Sequence, residues 1–383
     1  MSYGKIPFNR PTYASDLNLY IEDAIFRGSL SGDGYYTAKC HDYIESMSPR
    51  SRSFLTTSCT SALEMATLLL AIQPGDEVIM PSWTFPSTAN CVAMRGATPI
   101  FVDVRPQSLT IDVNEAADAV SSRTRGIICV HYAGLSCDMD SLVSLCSDRN
   151  LVMIEDAAQA FGSLHSRGLL GGIGDFGAFS FHGTKEISVG EGGALTINNE
   201  KYYERAKLVW EKGTNASDYR RGLIEKYQWV DIGSSFLPSE LTASALFAQM
   251  NYSKYILDCK RSAWAAYSNM LRPSISSGLL DIVEPEFSRE INGHLFAIRV
   301  PGDDLQVKIV EYMQQNNIDV RTHYQPLHTS PAGRRFGQVR GSMRTTERAA
   351  GRLIRLPIDA VISVEEQARV VDTLLKGIRL LSA

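Results

Sequence analysis

No stretch of the 383 residues is apolar for long enough to span a bilayer, and residues 1–11 lack the continuous apolar segment of a secretion signal. A cytoplasmic location is the expectation. Thirty-eight basic residues stand against 42 acidic ones, for a formal net charge of −4, and no Lys/Arg run is dense enough to form a nucleic-acid or membrane-binding face. Neither partner is expected. The seven cysteines include no CxxC pair, and their odd number argues against a disulfide framework, so they read as reduced, buried thiols. Internal repeats, low-complexity tracts and Gly/Ser linkers are absent as well. Where a dinucleotide-binding fold would carry GxGxxG, the chain has Thr57-Ser58-Cys59-Thr60-Ser61, which counts against an NAD-linked dehydrogenase.

What the chain does have is length for two domains and an ordinary apolar content of 44%. Short apolar runs at 77–80, 98–104, 126–130, 151–154 and 176–181 read as buried strands, with helical patterns at 61–72 and from 139 to 146 between them. That alternation predicts an α/β fold: a large domain over 1–260 with a mixed, mostly parallel sheet between helices. Helices are expected at 199–212 and 239–271. Beyond them, segments at 294–300, 303–315, 318–323, 345–354 and 363–381 alternate strand and helix again, predicting a smaller C-terminal α+β domain over 261–383.

Asp156 ends the run Ile154-Glu155-Asp156, at the carboxyl edge of the predicted sheet, where α/β folds hold ligands. Lys185 follows the run 176–181 inside a glycine-bounded loop, Gly183 on one side and Gly190-Glu191-Gly192-Gly193 on the other. An acid able to hold a pyridinium proton and an amine able to form a Schiff base are what pyridoxal phosphate chemistry requires. Taken singly, Asp156 reads more readily as a helix cap and Lys185 as a solvated loop lysine. Thr60 and Ser61 open a helix and offer hydroxyls and free N–H groups to a phosphate, Ser180 can add another, and capping is again the plain alternative. Trp83 can stack on a pyridine ring or pack in the core. Gln159, one helical turn past Asp156, can reach the ring oxygen or face water. His323, Tyr324 and His328 gather after a predicted strand, where a sugar pocket suits them better than a metal, because no Glu or Cys stands at ligand spacing.

Together these motifs resemble the fold-type I aminotransferases of the DegT/StrS nucleotide-sugar family over nearly the whole chain. The likeness rests on residues 58–63, 74–78, 81–85, 155–159, 179–185 and 190–193. His131-Tyr132-Ala133-Gly134, residues 211–215 and 231–235, and residues 322–328 make the chain most similar to members that aminate dTDP-4-dehydro-6-deoxy-D-glucose at C4. The resemblance implies pyridoxal 5'-phosphate as cofactor, with Lys185 its Schiff-base lysine and Asp156 on the ring nitrogen. It also implies Gln159 on the ring hydroxyl, Trp83 over the ring face, and Thr60, Ser61 and Ser180 on the phosphate. It further implies a homodimer with active sites at the interface, a dTDP-sugar and L-glutamate as substrates, and transfer by two alternating half-reactions. His182, Lys212, His323, Tyr324 and His328 are the candidate substrate contacts.

Two positions depart from the family pattern. Ser235 stands where an asparagine usually reaches the neighbour's phosphate, and Phe161 replaces a frequent histidine. Three other functions stay open: amination at C3 of a sugar or of a cyclitol, a deoxysugar dehydratase, and a non-catalytic nucleotide-sugar binder on the same scaffold. Lys185 argues against the dehydratase, which by resemblance carries histidine there.

Overall fold

The computed structural model describes residues 4–382; residues 1–3, part of the N-terminal stretch read above, lie outside it. Its central sheet has eight strands among the described residues, in the order β1-β9-β8-β5-β4-β2-β3-β12. The strands are β1 (Arg52–Thr56), β2 (Glu77–Pro81), β3 (Thr98–Val102), β4 (Thr124–Val130), β5 (Val152–Asp156), β8 (Phe176–Ser180), β9 (Gly193–Ile197) and β12 (Gln338–Val339). A small hairpin of β6 (Leu164–His165) and β7 (Gly168–Leu169) separates β5 from β8. Only β9 runs against its neighbours; the other pairings are parallel, so these strands end at one edge. β2, β8 and β9 are buried along their whole length, as expected of strands covered on both faces.

Among the covering helices, α1 (Leu17–Phe26) and α2 (Tyr35–Met47) pack on the long α9 (Glu240–Ser276). The helix α3 (Cys59–Leu69) starts where Ser58 Oγ accepts the Ser61 N–H, and α4 (Pro86–Ala93) starts on a proline that needs no partner for a missing N–H. Next come α5 (Val113–Asp118) and α6 (Met139–Arg149), the latter stopped by Asn150 in the left-handed region at φ 52°. They are followed by α7 (Tyr203–Trp210) and α8 (Ala216–Arg220).

The 37-residue α9 (Glu240–Ser276) joins the two halves of the chain. At its start the buried Glu240 carboxylate accepts N–H groups of Gly34, Tyr36 and Thr37, supplying α2 with the acceptors its first turn lacks. Its later residues Ala263, Tyr267 and Leu271 enter a second apolar core. That core lies over an antiparallel sheet of β10 (Asp281–Ile282), β11 (Phe296–Arg299) and β13 (Leu353–Leu356), and includes residues of α10 (Leu305–Gln315) and α13 (Val364–Leu381). Between them, α11 (Pro331–Phe336) leads into β12 and α12 (Arg344–Ala350) leads away. The expected strand at 318–323 makes only single bridges, Ile6 to Ile318 and Arg321 to Arg355. No helix of the described residues is long and apolar enough to cross a membrane.

Candidate active site

The carboxyl ends of the parallel strands open onto a cavity of about 1290 Å³. Asp156, the last residue of β5, and Lys185, in the loop after β8, both line it. Asp156 is 5% exposed; its Oδ2 accepts the Thr88 hydroxyl at 2.7 Å and its Oδ1 the Ala158 N–H at 3.2 Å. Burial pushes this carboxyl up from its ordinary range, opposed by those two hydrogen bonds and by the charge of Lys185. Burial likewise holds the Lys185 amine below its usual range, with Glu186, Cys59 and Asp156 pulling the other way and Arg355 reinforcing the drop.

The amino end of α3 lines the cavity through Ser58, Cys59 and Thr60, and Ser180, at the end of β8, faces it from the next strand but one. Thr60 Oγ1 meets Ser87 Oγ at 2.7 Å, while Ser61 Oγ turns to Thr57 at 3.0 Å and Ser58 at 3.1 Å and lies outside the lining. The loop sits close against β9: a Cβ on Gly193 would fall 2.3 Å from the Ser58 carbonyl carbon and 2.5 Å from the Cys59 nitrogen. That glycine is therefore needed for backbone contact under the α3 turn.

Trp83 is a correction. It is fully buried, packed edge-on against Tyr132 and Tyr324, and takes no part in the cavity wall. Of the aromatics in that motif it is Phe85, 61% exposed and immediately before Pro86 at the start of α4, that lines the cavity. Gln159 lines the cavity, but its Oε1 accepts the Ala133 N–H at 2.7 Å and its Nε2 donates to the Tyr324 hydroxyl at 2.9 Å. Tyr324 stacks on His323 at 3.9 Å, and His323 Nδ1 meets the Tyr132 hydroxyl at 3.2 Å. Burial holds His323 well below the usual imidazole range, so it is neutral.

Three substrate or phosphate candidates are not brought to this chain's cavity. His328 is tied to Ser82 Oγ at 2.8 Å and to Glu347 at 3.3 Å, a tether rather than part of the wall. Lys212 and Ser235 are exposed on adjoining segments outside it. His182 does line it, half-exposed, with Nδ1 3.0 Å from Thr184 Oγ1. Phe161 packs edge-on against Phe179 and Phe181, so no polar contact replaces the histidine.

The sequence reading passed over Thr88, which one helical turn into α4 carries a hydroxyl to Asp156, and a buried cluster behind Lys185. In that cluster Glu186 Oε1 meets His294 Nδ1 at 2.5 Å and Lys260 Nζ at 3.4 Å. The adjacency of Glu186 to Lys185 was its one sequence signal; His294 and Lys260 reach it only through the fold.

A buried carboxylate, an amine of lowered basicity and a hydroxyl-lined helix start on one cavity fit pyridoxal phosphate. The sequence profile of the DegT/DnrJ/EryC1/StrS aminotransferase family matches residues 21–375. The chain is 28% identical to GDP-perosamine synthase of Escherichia coli O157:H7, covering 85% of this chain and 86% of that protein. It is 29% identical to the spore coat polysaccharide biosynthesis protein SpsC of Bacillus subtilis, covering 84% and 83%. Among solved structures, the aminotransferase TlmJ from Streptoalloteichus hindustanus superposes with a TM-score of 0.89 at 24% identity, covering 99% of this chain and all of that one.

Proposed function

The chain belongs to the DegT/DnrJ/EryC1/StrS aminotransferase family, whose members depend on pyridoxal phosphate, and from this we propose that it moves an amino group from L-glutamate to the C4 ketone of dTDP-4-dehydro-6-deoxy-D-glucose. The observation that carries the reading is Lys185 and Asp156 on one cavity beside the Tyr324–His323 stack. When bound, pyridoxal phosphate supplies the electron sink that makes the carbon bearing the amine acidic.

The protein's residues do the rest. Lys185, its basicity lowered by burial, would be the amine that holds the cofactor and the base and acid that moves a proton at that carbon. Asp156, oriented by Thr88, keeps the ring nitrogen protonated. Thr60, Ser180 and the free N–H groups at the start of α3 would hold the phosphate, and Phe85 would cover the ring in place of Trp83. Gln159 approaches the ring oxygen through its remaining amide hydrogen. His182, His323 and Tyr324 line the sugar's approach.

A homodimer is part of the same proposal: Ser235 and Lys212, exposed away from their own cavity, serve that of the neighbouring subunit, and the chain divides into domains over 1–260 and 261–383. The GDP-perosamine synthase relative supports a second reading, a GDP-linked sugar on the same chemistry. Incubating the protein with glutamate and each nucleotide ketosugar, then reading the product's ring couplings by NMR, tests both. New amine at C4 of the dTDP sugar is the expected result; amination of the GDP sugar alone, or of neither, overturns it.

A further inference from the structure

Two lysines line the cavity, and they are held in opposite ways. Lys185 Nζ has no hydrogen-bond or ion-pair partner among the described residues, whereas Lys260, from α9, is 4% exposed and held twice. Its Nζ lies 3.4 Å from Glu186 Oε1 and donates to His294 O at 3.2 Å. Glu186 is buried as well, and the same Oε1 meets His294 Nδ1 at 2.5 Å. Arg261, the next residue on α9, is occupied by Asp258 at 3.1 Å and Glu290 at 2.6 Å, so Glu186 is the carboxylate left to Lys260.

The closeness of the two amines is built into the chain. Glu186 follows Lys185 directly, with about 3.8 Å between consecutive Cα atoms, so its carboxylate brings Lys260 to within one glutamate side chain of the Lys185 backbone. The loop that carries both residues is closed on itself by Phe181 N–H to Gly192 O at 2.8 Å, Gly183 N–H to Gly190 O at 2.9 Å and Lys185 N–H to His182 O at 2.9 Å. Glu186 fastens that loop to α9.

An aldehyde entering this cavity meets two primary amines. A neutral amine adds to it through the nitrogen lone pair, and the C=N bond forms as the aldehyde oxygen leaves in water with two protons from nitrogen. An ammonium has no lone pair to offer and does not add. Burial without a partner lowers the basicity of Lys185, while Lys260 faces a buried carboxylate.

From the ion pair on the residue that follows Lys185 we infer that Glu186 holds Lys260 as an ammonium and so reserves the cofactor aldehyde for Lys185. Glu186 is a positioning residue that acts through Lys260 and touches no reacting atom. This role rests on Lys185 as the cofactor lysine and is independent of which sugar is aminated.

Borohydride reduction followed by peptide mass spectrometry reads which lysine carries the pyridoxyl group. Wild-type holoenzyme should be labelled at Lys185, with Lys260 no higher than the exposed lysines. Lys185→Ala, incubated with pyridoxal phosphate before reduction, should leave Lys260 at that same low level. Adding Glu186→Gln removes the charge at nearly constant shape and should raise the label on Lys260 at least about 10-fold, because a buried ammonium without its carboxylate gives up its proton readily. Melting temperature serves as the folding control, and Glu186→Met, of similar volume, is the second form should the glutamine variant not fold. Label on Lys260 above that of the exposed lysines in either protein that retains Glu186 overturns the role, as does an unlabelled Lys260 in the folded double variant. A wild type labelled at neither lysine overturns it together with Lys185 as the cofactor lysine, whereas failure to aminate the dTDP sugar sinks only the proposed substrate.

Discussion

Thr88 and Lys185 stand at opposite ends of what residue-level reading can find. Lys185 announces itself by its glycine-bounded loop after a buried strand; Lys185→Ala should leave a folded protein that lacks the visible band of a lysine-bound cofactor and turns over no substrate. Thr88 sits in an undistinguished run of small residues, and only the fold brings its hydroxyl to Asp156. Thr88→Val should weaken cofactor binding about 10-fold by equilibrium dialysis, since a hydrogen bond to a charged group is worth roughly 1.5–3 kcal/mol. Trp83 shows why motif position alone misleads: of two aromatics in Trp83-Thr84-Phe85, the one packed between tyrosines is lost to the core and the one beside Pro86 faces the cavity. Glu186 carries a pH prediction. Burial raises its carboxyl, but the charge of Lys260 and the hydrogen bond with His294 outweigh this and hold it below the usual carboxylate range, while burial brings His294 itself down to about 4, so that at neutral pH Lys260 is the cation of the cluster. A carboxylate depressed in the folded state contributes stability above its unfolded value near 4.3 and loses it as pH falls toward 2. In denaturant titrations the stability gap between wild type and Glu186→Gln should therefore be widest at neutral pH and close between pH 4 and 2.

At the scale of elements, the five strands expected from apolar runs are present within two residues at each end, because strands covered on both faces leave an unbroken hydrophobic signature. β1 and β9 were not resolved individually, as Arg52–Thr56 and Gly193–Ile197 mix small and polar residues into their runs. β12 is two exposed residues long and has no local signal at all; its place beside β3 is fixed by Arg340, whose N–H reaches Phe101 O at 3.0 Å and whose guanidinium reaches Glu77 at 2.7 Å. α13 fills the segment expected at 363–381, and the structure shows how it starts. Ser363 Oγ accepts the Glu366 N–H at 3.1 Å and the Glu366 carboxylate accepts the Ser363 N–H at 3.0 Å. Ser363→Ala should cost about 1 kcal/mol, read as a fall in melting temperature of about 2 °C with activity retained.

Across the whole molecule, the cavity is assembled from both halves of the chain: Asp156 and Lys185 come from the large sheet, Arg355 and Tyr324 from beyond α9. Of the residues read from the sequence, Ser235 points to the surface that would meet a second copy. The structure leaves Leu223, Tyr227, Trp229 and Ile232 exposed on the segment between α8 and α9, a concentration of apolar surface unusual for an isolated subunit. Sedimentation equilibrium should return twice the chain mass, and Trp229→Asp should shift it toward the single-chain value with loss of turnover. The order of strands also bears on how the polypeptide leaves the ribosome. β3 is complete once residue 102 has emerged, but the strand that covers its outer edge begins at residue 338. For most of translation that edge presents bare amides to any passing strand. Chains stopped before β12 should therefore be the ones that chaperones capture.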